Sequence, residues 1–210
     1  MKYLKIGIDL SINSTGVCVI EPNGKITYYQ LMPFWLTKKQ PKSHICSDSV
    51  ILKMYKRFYE KDFDTNSEAD LHKIYSAMNQ SDALIEIIIS HMSKDTLLDV
   101  RIEGASFASN AGRIYDLTIY YAEIKRRLLN FLPHGSKLST IPPTKVKMVA
   151  LGKGNGTAKK DLIEEYHKSI FGDKFDYSKG KNDDVIDAYL LASSDYGADY
   201  LLINRLINKS

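Results

Sequence analysis

Two short runs of apolar residues, 3–10 (YLKIGIDL) and 97–103 (LLDVRIE), have the length and β-branched character of buried strands, yet each closes on a carboxylate. Asp9 follows Ile6-Gly7-Ile8 and Glu103 follows Val100-Arg101-Ile102. An ordinary core has no use for acids there. A third acidic position lies in the stretch 182–194, where Asp184 and Asp187 stand three apart among Val185, Ile186, Ala188, Leu190 and Leu191. At helical spacing an i, i+3 pair projects from one face, so both groups can reach one site.

The rest of the chain supplies the frame for these acids. Residues 15–20 (TGVCVI) read as a second strand, antiparallel to the first across Ser11-Ile12-Asn13-Ser14, and residues 25–32 as a third after the turn signal Pro22-Asn23-Gly24. Residues 33–65, with Pro33, Pro41, the single Trp35 and mixed lysines and aromatics, break the pattern and read as an insertion. Helical spacing returns from Ser67 to Met92, with a possible break near Ser81, and again over 111–132, where Pro133 stops it. A strand at 137–141, helices at about 143–151 and 158–171, and two last helices at about 182–194 and 196–208 complete the order. With no repeat and no linker between two cores, the chain reads as one α/β domain over 1–210 with a mixed sheet.

Carboxylates gathered at one locus repel one another and raise each other's pKa, so a cluster calls for a compensating cation. An all-oxygen donor set favours Mg²⁺ or Mn²⁺ over zinc, and two such ions can activate water and stabilise the leaving oxygen of a phosphodiester. Each acid also has a plainer explanation. Asp9 precedes a polar turn, Glu103 has Arg101 and Lys125 nearby in sequence as ion-pair partners, and Asp183 and Asp184 suit the dipole at a helix N-terminus. Asp187 lies too deep in its helix for the dipole explanation.

The chain carries 29 basic against 25 acidic residues, with a pI near 8.8, a balance that permits a polyanionic partner without demanding one. The basic residues are concentrated: five lysines (Lys145, Lys147, Lys153, Lys159 and Lys160) and no acid lie between Thr144 and Lys160, interleaved with Gly152, Gly154 and Gly156. Such a stretch can track a phosphate backbone, or be a solvated loop. No strand directly precedes the glycines, as a dinucleotide-binding fingerprint requires. Cys18 and Cys46 lack metal-ligand spacing and read as reduced thiols, and no stretch of about 18 apolar residues exists, so a soluble, cytoplasmic protein is expected.

Four segments together resemble the RuvC family of Holliday-junction resolvases in the ribonuclease H-like superfamily: IGIDLSINSTGVCVI, IEGASFASN, PTKVKMVALGKGNGTAKKDLI and NDDVIDAYLLA, in the family's order. The first alone is also similar to the opening of sugar kinases and actin-like ATPases; for their two-lobed architecture 210 residues are too few. The resemblance implies a ribonuclease H-like fold with a mixed five-stranded sheet flanked by helices, and a metal-dependent endonuclease that resolves four-way junctions. By the same resemblance Asp9, Glu103, Asp184 and Asp187 are the catalytic metal ligands, two Mg²⁺ per site with Mn²⁺ able to substitute. Asp184 then stands where many cellular members have His, with Asp183 competing for the role. Lys147 and Lys160 become phosphate contacts, with Lys145, Lys153 and Lys159 beside them. Phe107 becomes the aromatic offered to the junction, one residue further from the glutamate than the family pattern expects. The helix 111–132, with its stripe of Ile114, Leu117, Tyr121, Ile124 and Leu128, contributes to a homodimer in the family, which suits two symmetric nicks. Neither a nucleotide cofactor nor a membrane is expected, and the lysine- and tyrosine-rich chain looks more like a viral or phage member than a bacterial one. Two other functions remain open from the sequence: a junction-binding architectural protein that does not cut, and a related nuclease acting on flaps or RNA–DNA hybrids.

Overall fold

The computed structural model describes residues 3–35, 49–57, 65–104, 111–152, 160–177, 182–196 and 201–202. Strands β1 (Tyr3–Asp9), β2 (Thr15–Ile20) and β3 (Ile26–Trp35) form the expected antiparallel meander. They are followed by β4 (Val50–Arg57), α1 (Asn66–Ser90), β5 (Leu97–Glu103), α2 (Ala111–Phe131), β6 (Lys137–Ile141), α3 (Pro143–Leu151), α4 (Lys160–Phe171), α5 (Asp183–Ser193) and β7 (Leu201–Leu202). The strands lie in the order β4-β3-β2-β1-β5-β6-β7, with β5 parallel to β1 and β6 parallel to β5. This is the expected mixed α/β plan, a meander continued by parallel strands. Among the described residues the sheet has seven strands rather than five.

The two added strands correct the sequence reading. Part of the insertion, 50–57, pairs in parallel with β3 from Tyr28↔Val50 to Trp35↔Arg57. β3 runs past the end of β2, and Pro33 is tolerated there because only the β4 side of that segment is paired with a strand. At the other edge, Leu201 and Leu202 pair antiparallel with β6, where the sequence suggested a helix over 196–208; residues 197–200 and 203–210 lie outside the described residues. Of the two readings the sequence allowed for 67–92, one long helix or two with a break near Ser81, the structure has the single helix. The Ser81 hydroxyl donates to the Met78 carbonyl at 2.8 Å, which satisfies a buried polar group without interrupting α1.

Alternation along the strands divides the core into two layers. Leu4, Ile6, Ile8, Val17, Val19, Leu98, Val100 and Ile102 face α1 and α2, meeting Leu84, Ile88, Ile124 and Leu128. On the opposite face Cys18 and Tyr28 meet α5 through Val185, Ile186, Ala188 and Leu190, and Ile163 of α4 joins them. The fully buried His167 secures α4 from below: its Nε2 bonds the Tyr28 hydroxyl at 3.1 Å and its Nδ1 the Tyr177 hydroxyl at 2.5 Å. Burial lowers its pKa to about 4, so it sits neutral among these rings.

α5 lies directly on β1 and β2, because both strands present glycine where the helix crosses. A β-carbon at Gly7 would stand 1.9 Å from the Ala188 carbonyl oxygen, and one at Gly16 would stand 2.0 Å from that of Asp184. The far end of α5 is held by Arg101, buried with Asp99. The guanidinium donates through Nη2 to Asp99 Oδ2 at 2.7 Å and through Nη1 to the carbonyls of Leu191, at 3.1 Å, and Ser194. Arg101 thus closes the helix C-terminus, whose last carbonyls need donors.

Gly7→Ala is therefore expected to destabilise the fold by about 1–3 kcal/mol or more, since the added carbon meets backbone that cannot rotate away. Urea denaturation checks this. A loss below about half a kcal/mol would mean that α5 is free to lift from the sheet.

Candidate metal centre

Pairing register brings the acids together. Asp9 is the last residue of β1 and pairs with Gly16; Gly16 in turn pairs with Gln30 of β3. On the other side of β1 the parallel register runs to Ile8↔Ile102, so Glu103 lies one step beyond, beside Asp9. One row across the sheet thus reads Gln30, Gly16, Asp9, Glu103, all on the face covered by α5. The empty place at Gly16 admits the first turn of α5, which carries Asp184, with Asp187 one turn on.

The electrostatics follow from that packing. Burial pushes the Asp9 carboxyl well above the 3.8 of an ordinary aspartate, and the charges of Glu103, Asp187 and Asp184 and a hydrogen bond with Glu103 push the same way. Two carboxyl groups can share a hydrogen bond only when one of them holds a proton, which is why this contact favours the protonated form of Asp9. In this arrangement the described residues include no group of three acids drawn around a single point. In donor chemistry alone, an all-carboxylate set from three segments would suit a hard divalent cation; Asp9 is raised by burial first and then by the charges of the other three.

The plainer explanations can now be compared with the geometry. Arg101, the nearest cation to Glu103 in sequence, is committed to Asp99. Lys125 lies over the Tyr121 ring at 4.5 Å, and burial lowers its pKa. The Tyr121 hydroxyl donates to the Glu103 backbone carbonyl at 2.7 Å, tying the end of β5 to α2. Of the two adjacent aspartates, Asp184 is the one whose charge acts on Asp9, while Asp183 lines a small crevice together with Asp187, Ile186, Ile163 and Glu164.

Several residues at the site were not legible as such in the sequence. Ser14 Oγ donates to Asp184 Oδ2 and accepts from Gln30 Nε2 at 2.7 Å. Arg57 Nη1 donates to the Ile12 carbonyl at 2.9 Å and to Asn13 Oδ1 at 2.7 Å, and the Tyr55 hydroxyl donates to the same carbonyl at 2.7 Å. From α1, Gln80 Nε2 donates to the Ser11 carbonyl at 3.0 Å and to Thr15 Oγ1 at 2.8 Å. The turn after Asp9 is thus gripped from β3, β4 and α1. The available signal was weak: buried polar residues inside apolar runs, such as Gln30 within ITYYQLM.

Of the candidate DNA contacts, Lys145 and Lys147 flank the buried Val146 on α3, both half-buried. α3 starts directly after β6, whose Ile141 pairs with Glu103, so these lysines belong to the carboxylate end of the sheet. Lys160 begins α4. Phe107, Lys153 and Lys159 lie outside the described residues. Among the described residues no helix is long and apolar enough to cross a membrane.

No protein-family model matches the sequence, and no curated protein matches it. Solved structures do. Thermus thermophilus RuvC is similar at 16% identity over 89% of each chain, with a TM-score of 0.45. The same protein in complex with a Holliday junction substrate gives 14% identity over 89% of this chain and 88% of that one, with a TM-score of 0.49. The yeast mitochondrial Holliday junction resolvase Ydc2 gives 13% identity over 92% of this chain and 78% of that one, with a TM-score of 0.46.

The raised Asp9 has a consequence for stability. Above about pH 4 the folded chain keeps a proton that the unfolded chain has released, so this group makes stability fall as pH rises, until the folded-state value is passed. In divalent-free buffer, Asp9→Asn should lose less stability than the parent between about pH 4 and about pH 7, and be the more stable of the two at the upper end. Denaturation curves across that range test this, and parallel slopes for the two proteins would count against a carboxylate cluster.

Proposed function

We propose that this chain is a divalent-metal-dependent endonuclease that hydrolyses phosphodiesters in branched DNA, four-way junctions first among them. The observation that carries the reading is the placing of Asp9, Glu103, Asp184 and Asp187 at one end of the sheet, with Asp9 pushed up by burial and by the charges of the other three. Such a set, supplied by β1, β5 and α5, suits cations and not a buried ion pair.

In this reading the four carboxylates hold two Mg²⁺ ions, or Mn²⁺ in their place. Those ions, when bound, activate a water and stabilise the leaving oxygen. The protein's part is orientation. β1 and β5 fix Asp9 and Glu103 side by side, α5 brings Asp184 and Asp187 over them, and the close seat of the helix keeps bulk water from that side. Lys145 and Lys147 then bind the sugar-phosphate backbone near the cut, with Lys153, Lys159 and Lys160 extending the track, and Phe107 meets unpaired bases at the branch. The preference for junctions rests on the ordered resemblance of four sequence segments to RuvC-type resolvases. Two symmetric nicks call for a homodimer.

Labelled four-way junction, flap, linear duplex and RNA–DNA hybrid, incubated with the protein in Mg²⁺ and in EDTA, test the proposal. Paired nicks in the junction are expected, abolished by EDTA and reduced about 100-fold or more in Asp187→Asn. Lys147→Ala is expected to weaken junction binding and lower its salt dependence by about one counterion. Binding without cutting would replace the nuclease by an architectural role, and preferential cutting of flap or hybrid would keep the chemistry and change the substrate.

A further inference from the structure

We infer that Ser14 and Gln30 are positioning residues for Asp184: a two-step hydrogen-bond relay that fixes the direction in which this carboxylate meets a cation. The inference rests on the metal-site reading above and adds two residues to it.

The relay has one direction. A serine hydroxyl has a single proton, and an ionised carboxylate only accepts, so Ser14 must spend that proton on Asp184 Oδ2. Any other group at Ser14 Oγ must then donate. Gln30 reaches that oxygen at 2.7 Å, which fixes its amide with the NH₂ toward the serine. Gln30 is 5% exposed and belongs to the same row as Gly16 and Asp9, so its side chain lies over the position where Gly16 has none. The missing side chain that admits α5 also opens the path from Gln30 to Ser14.

A relay of this kind is costly to build in a buried setting unless every member is satisfied, and it acts by denying Asp184 other rotamers. Asp184 stands in the first turn of α5, and the hydroxyl of Ser14 meets its carboxylate there. Ser14 itself sits at the end of the turn that Arg57, Tyr55 and Gln80 clamp, so the relay is anchored to β4 and α1 as well as to β3. Hydrogen bonds that orient ligating carboxylates commonly change metal affinity by about 10- to 100-fold when removed.

The test is Mn²⁺ affinity by titration calorimetry on the full chain, with junction binding in EDTA and metal-free melting as companion measurements. Ser14→Ala is expected to weaken Mn²⁺ binding about 10-fold or more, and Gln30→Met to do so by a smaller factor. The double variant should be no weaker than Ser14→Ala alone, because Gln30 acts only through the serine. Junction binding in EDTA should stay within about twofold of the parent, which a general loss of structure would not allow. Gln30→Leu provides a second removal of the donor, without a new charge, if Gln30→Met melts early. Parent-like Mn²⁺ affinity in Ser14→Ala, or additive losses in the double variant, would overturn the relay while leaving the metal site standing. If instead the parent binds Mn²⁺ no better than Asp9→Asn, the metal-site reading fails and the relay falls with it.

Discussion

At Gly7 and Gly16 the backbone of α5 comes so near β1 and β2 that no β-carbon fits between them. That contact sets the depth of the helix, and the depth sets whether Asp184 and Asp187 can reach the carboxylates on the strand ends. Side chains at either position would lift the helix, and the four acids would become separate surface charges. Val185, Ile186, Ala188, Leu190 and Leu191, all at most 1% exposed, draw the helix down by burying apolar surface. Arg101 closes its far end through the carbonyls of Leu191 and Ser194.

Gathering acids this way opposes folding, and the structure confines the opposition to one place. Asp99, the buried acid on the same face of β5, has Arg101 as a bidentate partner. At the strand ends Asp9 and Glu103 stand side by side, and the charges of Glu103, Asp184 and Asp187 all act on Asp9. Under the proposed function such a site would trade stability for affinity toward a cation.

The strand added by the insertion takes part in that confinement. Two strands separate β4 from β1, yet Arg57 and Tyr55 reach the turn that follows Asp9 and hold its Ile12 carbonyl. A short polar turn after a buried strand would otherwise have several conformations open to it, each directing Ser14 differently. With Gln80 bonding the Ser11 carbonyl from α1, the turn has partners on three elements. What began as a break in the sequence pattern thus supports the carboxylate site.

The sequence by itself determined the elements and the acids. Periodicity placed β1, β2, β5, β6 and α5 within a residue or two, because alternation and helical spacing are local properties of the chain. Asp9 and Glu103 stood out because a carboxylate at the end of a buried run is energetically conspicuous, and Asp187 because its spacing from Asp184 is helical. What the tertiary structure decided was everything that depends on approach between distant segments. Spacing to Asp187 favoured Asp184 over Asp183, but the approach of the Asp184 backbone to Gly16 appears only once the helix is seated on the sheet. β4 and β7 were invisible because an edge strand draws its stability from its partner and not from its own residues. Gln30, Ser14 and Arg57 were invisible for a related reason: a polar side chain shows its purpose only once its hydrogen-bond partner, up to 170 positions away for Ser14 and Asp184, has been brought beside it.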